Sequence, residues 1–191
     1  MPFTSDEGFF EEPGYAADNT PIRTEADARH WMARMQALPA YYDQQIANMR
    51  RGIKTGFVQP RLIAEHTAQT LQATADRPAA DNALMAPFAS MSSSLLPARQ
   101  QALRDEALRI VETRIKPSER TLARFFHDEY LPASRNSLGA ASLPDGRAYY
   151  AYRVKSETTT DMTPDQVFAL GQSEIARIHR DMAREMAAAG F

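Results

Sequence analysis

Tyr42, Ile46, Met49 and Ile53 stand four, three and four residues apart. An α-helix turns once every ~3.6 residues, so this spacing gathers all four side chains on one face, and that face has to be buried. The rhythm recurs at Ala28, Trp31, Met35 and Leu38, at Leu103, Ala107 and Ile110, and at Leu122, Phe125, Phe126 and Tyr130. It returns at Val167, Leu170, Gly171, Ile175, Ile178, Met182 and Met186. The chain is therefore mainly α, an irregular helical array. No period repeats along it, and no tetratricopeptide, ankyrin or HEAT signature accompanies the helices.

Prolines divide the stripes. Thr24 with Asp27 is a weak capping box that opens a first helix, which Pro39 ends. A second helix spans residues 40–54 and frays at Gly52 and Gly56. Pro60 opens a third over residues 61–75. Residues 76–97 are broken by Pro78, Pro87 and Pro97, with a short helix predicted over 82–88. Apolar residues interleave with Ser90, Ser92, Ser93 and Ser94, which predicts an ordered connection rather than a linker. A helix then runs from Pro97 to the region of Ile115, Pro117 restarts the chain, and Pro132 closes the next helix. Residues 1–22 read as an irregular arm whose aromatics Phe3, Phe9, Phe10 and Tyr15 pack on something. The whole of 1–191 reads as one helical region belonging to a larger domain.

One stretch departs from this rhythm. Leu143-Pro144-Asp145-Gly146 is a turn signal, and in residues 147–154 Ala148, Tyr150, Tyr152 and Val154 alternate with Tyr149, Ala151 and Arg153. Alternation of period two predicts a strand, the one short β element of the chain. Its partner is either residues 157–160, as a hairpin, or sequence elsewhere. Thr163-Pro164-Asp165-Gln166 then combines an N-cap, proline at the first position, an early acid and a capping-box glutamine, the strongest helix start in the sequence. The stripe that follows runs to residues 186–189 and stops at Gly190-Phe191, where a next element would begin; this fits either a native end or a cut.

Composition excludes several function classes. A net charge of -2 gives no reason to expect nucleic acid or an acidic membrane. The chain has no cysteine, hence neither disulfides nor thiolate metal sites. No apolar run approaches the ~20 residues that span a bilayer, and the N-terminus lacks the basic and apolar regions of a signal peptide. His30, His66, His127 and His179 do not form the His-Glu-x-x-His of a helical zinc site. Glu65-His66 has Gln69-Thr70 where the second imidazole belongs, and His127-Asp128-Glu129 has the right residue types without ligand spacing. Ser92-Ser93-Ser94 lacks the glycines of a nucleophile elbow. No catalytic residue and no metal ligand is predicted. Tyr42 belongs to an apolar stripe and reads as core. Tyr149, Tyr150 and Arg153 on the strand are the candidate substrate-binding residues: they line a cleft or cover core, and Arg153 suits a carboxylate.

Two blocks together resemble a known family. The first is Leu38-Pro39-Ala40-Tyr41-Tyr42-Asp43 through Met49-Arg50-Arg51-Gly52, with Thr55-Gly56 and Gln59-Pro60-Arg61. The second is Tyr130-Leu131-Pro132, Leu143-Pro144-Asp145-Gly146, Tyr149-Tyr150, Thr158-Thr159-Thr160, Thr163-Pro164 and Leu170-Gly171. They resemble the bacterial family catalogued as domain of unknown function 885. The resemblance implies a longer parent, mostly helical and similar to gluzincin zinc metallopeptidases, with its His-Glu metal segment after Phe191. It implies a parent that is cytoplasmic or exported, sometimes lipid-anchored, with a peptide substrate and zinc held outside this chain. The chain itself would be scaffold and cleft wall, its strand lying along an extended peptide. Its partners would be the missing remainder of the parent, or a second copy through self-association. A non-enzymatic helical module that binds a partner is the other reading.

Overall fold

The computed structural model describes residues 3, 4 and 7–190. Met1, Pro2, Ser5 and Asp6 of the predicted arm lie outside the described residues, as does Phe191. The chain falls into two compact units, Met1–Leu138 and Gly139–Phe191. The described residues form no sheet; extended pairing is limited to two isolated bridges, Phe3 with Gly8 and Pro60 with Arg135. The mainly α expectation is met.

The first unit contains α1 (Glu12–Asp18), α2 (Glu25–Thr55), α3 (Arg61–Asp76), α4 (Ala86–Ala89), α5 (Pro97–Ile110), α6 (Lys116–Phe125) and α7 (Leu131–Ala133). The helix α2 is its spine. At its start Thr24 Oγ1 accepts from Asp27 N at 3.2 Å, and Asp27 Oδ2 accepts from Thr24 N at 2.8 Å, a complete capping box. At its end Gly56 adopts φ 74°, the left-handed conformation that stops a helix and that glycine enters without a Cβ clash. Between them Ala28, Trp31, Met32, Met35, Leu38, Tyr42, Ile46 and Met49 are buried.

Pro39 does not end this helix; it lies inside it. A mid-helix proline costs about 3 kcal/mol through a lost hydrogen bond and a clash with the preceding turn. Burial of the stripe on both sides of Pro39 outweighs that cost, since each large apolar side chain buried contributes roughly 1.5–3 kcal/mol.

Pro117 and Pro132 also lie within continuous helix, and both follow the same device. A π-helical turn, Val111–Ile115, joins α5 to α6, and a second, Phe126–Tyr130, joins α6 to α7. Lys116 N–H bonds Val111 O and Leu131 N–H bonds Phe126 O, five residues back in each case, immediately before the proline. The wider turn shifts the hydrogen-bond register where the proline has no N–H to give. The resulting long helix buries Leu103, Ala107, Ile110, Val111, Ile115, Leu122, Phe125, Phe126 and Tyr130 against α2 and α3.

The N-terminal arm packs into this core. Phe3 is 2% exposed and meets Phe126 and Tyr130 edge-on, with ring centroids 5.3 Å away in both cases. Gln59 ties it down: its Nε2 donates to Phe3 O at 2.5 Å and its N–H to Tyr130 Oη at 3.1 Å. The helix α1 and the buried Phe9 make the arm more regular than the sequence suggests.

The second unit contains a 3-10 turn, Ala140–Ser142, then α8 (Gly146–Thr158) and α9 (Pro164–Ala188). The predicted strand over 147–154 is a helix, and its proposed partner 157–160 is the end of that helix and the turn after it. The alternation of Tyr149, Tyr150 and Tyr152 is equally compatible with either structure, and the intervening residues decide. Ala148, Ala151, Arg147, Arg153, Lys155 and Glu157 are good helix formers, and Arg153 pairs with Glu157 one turn on, at 2.6 Å. A helix closes its own hydrogen bonds, whereas a lone strand has none to close. Gly146 is required at its start: a Cβ there would stand 2.2 Å from Ala140 O.

The helix α9 begins at the predicted box, with Gln166 N donating to Thr163 Oγ1 at 3.2 Å and Thr163 N to Gln166 Oε1 at 2.8 Å. None of its residues is buried.

Candidate functional site

Tyr149, Tyr150 and Arg153 all lie on α8. Tyr149 and Arg153 are one turn apart, and Tyr150 lies a residue off that line. Tyr149 is half-buried, Tyr150 and Arg153 are exposed, and Arg153 holds Glu157. As helix residues they present side chains rather than a free backbone edge, so pairing an extended peptide along this stretch is overturned.

The four histidines are exposed on separate helical segments, and His127 Nδ1 lies 2.7 Å from Asp128 Oδ1. Among the described residues no group of three or more histidine, aspartate or glutamate side chains is arranged to hold a metal ion. No helix among them is long and apolar enough to cross a membrane.

Sequence reasoning missed a buried polar cluster in the first unit. Glu119 on α6 is 6% exposed and Lys116, one turn earlier, is 5% exposed. Lys116 Nζ donates to Thr74 O on α3 at 2.9 Å and stands 3.1 Å from Glu119 Oε2. Asn82 Nδ2 donates to Glu119 Oε1 at 2.8 Å, and Asn82 Oδ1 accepts from Leu84 N at 3.0 Å. Trp31 Nε1 closes the set on Leu84 O at 3.0 Å. The cluster locks the 82–84 turn between α2, α3 and α6. Burial, then the Glu119 carboxylate, push the Tyr42 phenol well above its ordinary value, so it stays protonated. The only advance signal was Lys116 and Glu119 at helical spacing on the side of α6 that also carries Ala123, which reads as an ordinary surface pair.

A cavity of about 290 Å³ opens beside this cluster, bordered by Glu11, Tyr42, Thr70, Thr74, Asn82 and Glu119. A second hollow of about 500 Å³ runs along the C-terminal half of α2, between Gln45, Arg51, Thr55, Phe57 and Tyr130.

The other conspicuous surface is α9. Ile175, Ile178, Met182 and Met186 are 51%, 45%, 55% and 52% exposed, and their spacing of three, four and four puts them on one face. Arg177 pairs with Glu174 at 2.8 Å and with Asp181 at 2.9 Å, as solvated ion pairs do. In the described part of the second unit only Leu143 and Gly146 are buried.

The helical fold is one already seen in a longer bacterial protein. The crystal structure of a protein of Colwellia psychrerythraea, described as a putative lipoprotein, superposes with a TM-score of 0.90 at 19% identity. The match covers 100% of this chain and 33% of that one, so the chain spans about a third of that protein's length. No curated protein matches. The family is settled by residues 2–191, which match the family described as "Bacterial protein of unknown function (DUF885)"; the chain belongs to it.

Proposed function

We propose that this chain is a non-catalytic helical part of a larger bacterial protein, whose remainder covers the open face of α9. One observation carries the reading: α9 has a regular apolar stripe and no buried residue. Apolar area left in water forgoes roughly 25 cal/mol per Å², and contiguous patches of this kind mark interaction surfaces. The greater length of the Colwellia protein supports a parent with sequence enough to cover it. Its description as a putative lipoprotein supports export of the parent.

The resemblance to gluzincin-like peptidases extends the proposal. The parent hydrolyses peptides with zinc bound outside this chain, and α8 contributes to the cleft wall. Tyr149, Tyr150 and Arg153 meet the substrate there as side chains, with Arg153 exchanging Glu157 for a substrate carboxylate. The second reading, a non-enzymatic module that binds a partner through the same face, rests on the same exposed stripe.

Comparing the 191-residue chain with the longer product of its gene tests both. The chain alone should self-associate in light scattering and bind an apolar dye through α9, and the longer protein should do neither. A chain that stays monomeric at high concentration and binds no dye removes the scaffold reading. The longer protein should hold zinc and cleave peptides, with turnover lowered by Arg153→Ala or Tyr150→Phe at unchanged thermal stability. A longer protein without chelator-sensitive hydrolysis leaves the binding module.

A further inference from the structure

We propose that the part of the parent that covers α9 is itself a helix, seated along Phe168, Gly171, Ile175, Ile178 and Met182 with a large apolar side chain over Gly171. This rests on the reading above that α9 is covered in the longer protein, and it adds what covers it and where. The five positions are spaced three, four, three and four. That is the heptad rhythm of a seam between two helices, kept here for two heptads.

The width of the apolar strip favours a helix over a sheet or a broad surface. Phe168, Ile175, Ile178 and Met182 are all exposed. From Gly171 to Met182 the positions beside the seam are polar, Gln172 and His179 on one side and Glu174 and Asp181 on the other. A wide cover buries a face of ~100° or more and would strip water from these flanks. A single helix crossing at ~20° covers the seam and leaves the flanks in solvent. Arg177 already holds Glu174 and Asp181, at 2.8 and 2.9 Å. The rim therefore asks no charge of the partner, which brings apolar side chains.

Gly171 is a second, independent sign. Inside a helix, glycine weakens helix formation about fivefold relative to alanine. Nothing in α9 requires it: its φ is not positive, and a Cβ there would meet no atom within 4 Å. At Gly146 the need is local, because the Ala140 and Ala141 carbonyls stand where a Cβ would be. A mid-helix glycine without a local cause has a packing cause elsewhere. In a seam, the missing Cβ makes a socket that a partner's side chain enters. A partner spanning Phe168 to Met182 needs ~14 residues of helix, ~21 Å, a small part of what the longer Colwellia protein adds to this region.

Substitutions at Gly171 in the 191-residue chain and in the longer protein test this, read by amide hydrogen exchange along α9. The chain is measured at concentrations where it is monomeric. There Gly171→Ala should raise protection about fivefold, the helix propensity gained, and Gly171→Leu nearly as much. In the longer protein Gly171→Ala should gain nothing, and Gly171→Leu should lower protection by at least about tenfold, because it fills the socket. Ala176→Leu, on the side of α9 away from the seam, should change protection less than about twofold in either protein. The inference is overturned if Gly171→Leu gains protection in both proteins, or if Ala176→Leu loses as much as Gly171→Leu in the longer one. It is overturned too if the chain alone loses protection with Gly171→Leu only as its concentration is raised, which would seat α9 of a second copy on the socket. Apolar dye separates this inference from the reading beneath it. A longer protein that takes up dye as the chain does removes the covered face and the helix together. One that excludes dye while Gly171→Leu gains protection keeps the cover and removes the helix.

Discussion

The two long helices α2 and α9 start alike and end in opposite circumstances. Both open with a reciprocal threonine box and carry an apolar stripe of the same period. Along its 31 residues α2 buries eight side chains, and α9 buries none of its 25. Amphipathic periodicity therefore states that a face is made to be covered, and does not state whether the cover lies in the same compact unit. In the first unit the cover is present: the long α5–α7 helix packs along α2, Leu84 O meets Trp31 Nε1, and Phe9 lies against Tyr42. In the second unit the stripe of Ile175, Ile178, Met182 and Met186 faces solvent.

The largest expected effect sets one core against one stripe. Phe126 is 0% exposed, so Phe126→Ala should lower stability by about 3–5 kcal/mol, through lost transfer energy and a cavity. Ile178→Ala, at 45% exposure, should stay within about 0.5 kcal/mol. Urea unfolding at low protein concentration measures both. A loss above about 2 kcal/mol at Ile178 that grows with protein concentration would show a second copy covering α9.

A smaller contrast lies inside the second unit. Gly146→Ala forces a methyl against Ala140 O and the Ala141 carbonyl, and should cost about 1–3 kcal/mol in that unit. In α9 a Cβ at Gly171 would meet nothing within 4 Å, so Gly171→Ala should stabilise the helix by about 1 kcal/mol. Amide hydrogen exchange along α8 and α9 reads both changes. Equal signs at the two glycines would mean that the turn before α8 gives way to accommodate the methyl.

These particulars show where the sequence was legible. The stripes of α2, α5–α7 and α9 were readable because burial imposes the helical period directly. Both threonine boxes were readable because a cap is a local, two-residue device. Three prolines misled, at 39, 117 and 132. A proline's cost is local, but its tolerance depends on packing around Pro39 and on the π-turns before Pro117 and Pro132, which no local pattern announces. The stretch 147–154 misled because three tyrosines in four positions fit a period of two as well as a helix. The Lys116–Glu119–Asn82 cluster joins residues 37 apart in sequence through one side-chain bond. Its members look like surface residues until the fold buries them.

The smallest expected effect returns to the two boxes. In α2 the reciprocal acceptor is a carboxylate, Asp27, and in α9 it is an amide, Gln166. The backbone N–H of Thr24, then its hydroxyl and the N–H of Arg23, hold the Asp27 carboxyl below its ordinary value. A depressed folded-state value means that the contribution is fully present above the unfolded carboxylate range, near pH ~3.9, and is lost as pH falls through the folded value. Glu25, lowered chiefly by its hydrogen bond from Arg99, fades in the same direction at the same helix end. Acid should therefore loosen the capping box of α2 while leaving the Thr163–Gln166 box of α9 as it was, because Gln166 does not titrate. Amide exchange followed between about pH 5 and pH 2.5 should show protection falling at Thr24 and Asp27, after correction for intrinsic rates, and holding at Thr163 and Gln166. Asp27→Asn should abolish the pH dependence at α2 and bring the two helix starts into line. If protection at Thr163 falls together with that at Thr24, the loss is not a titrating cap but acid loosening of the whole chain.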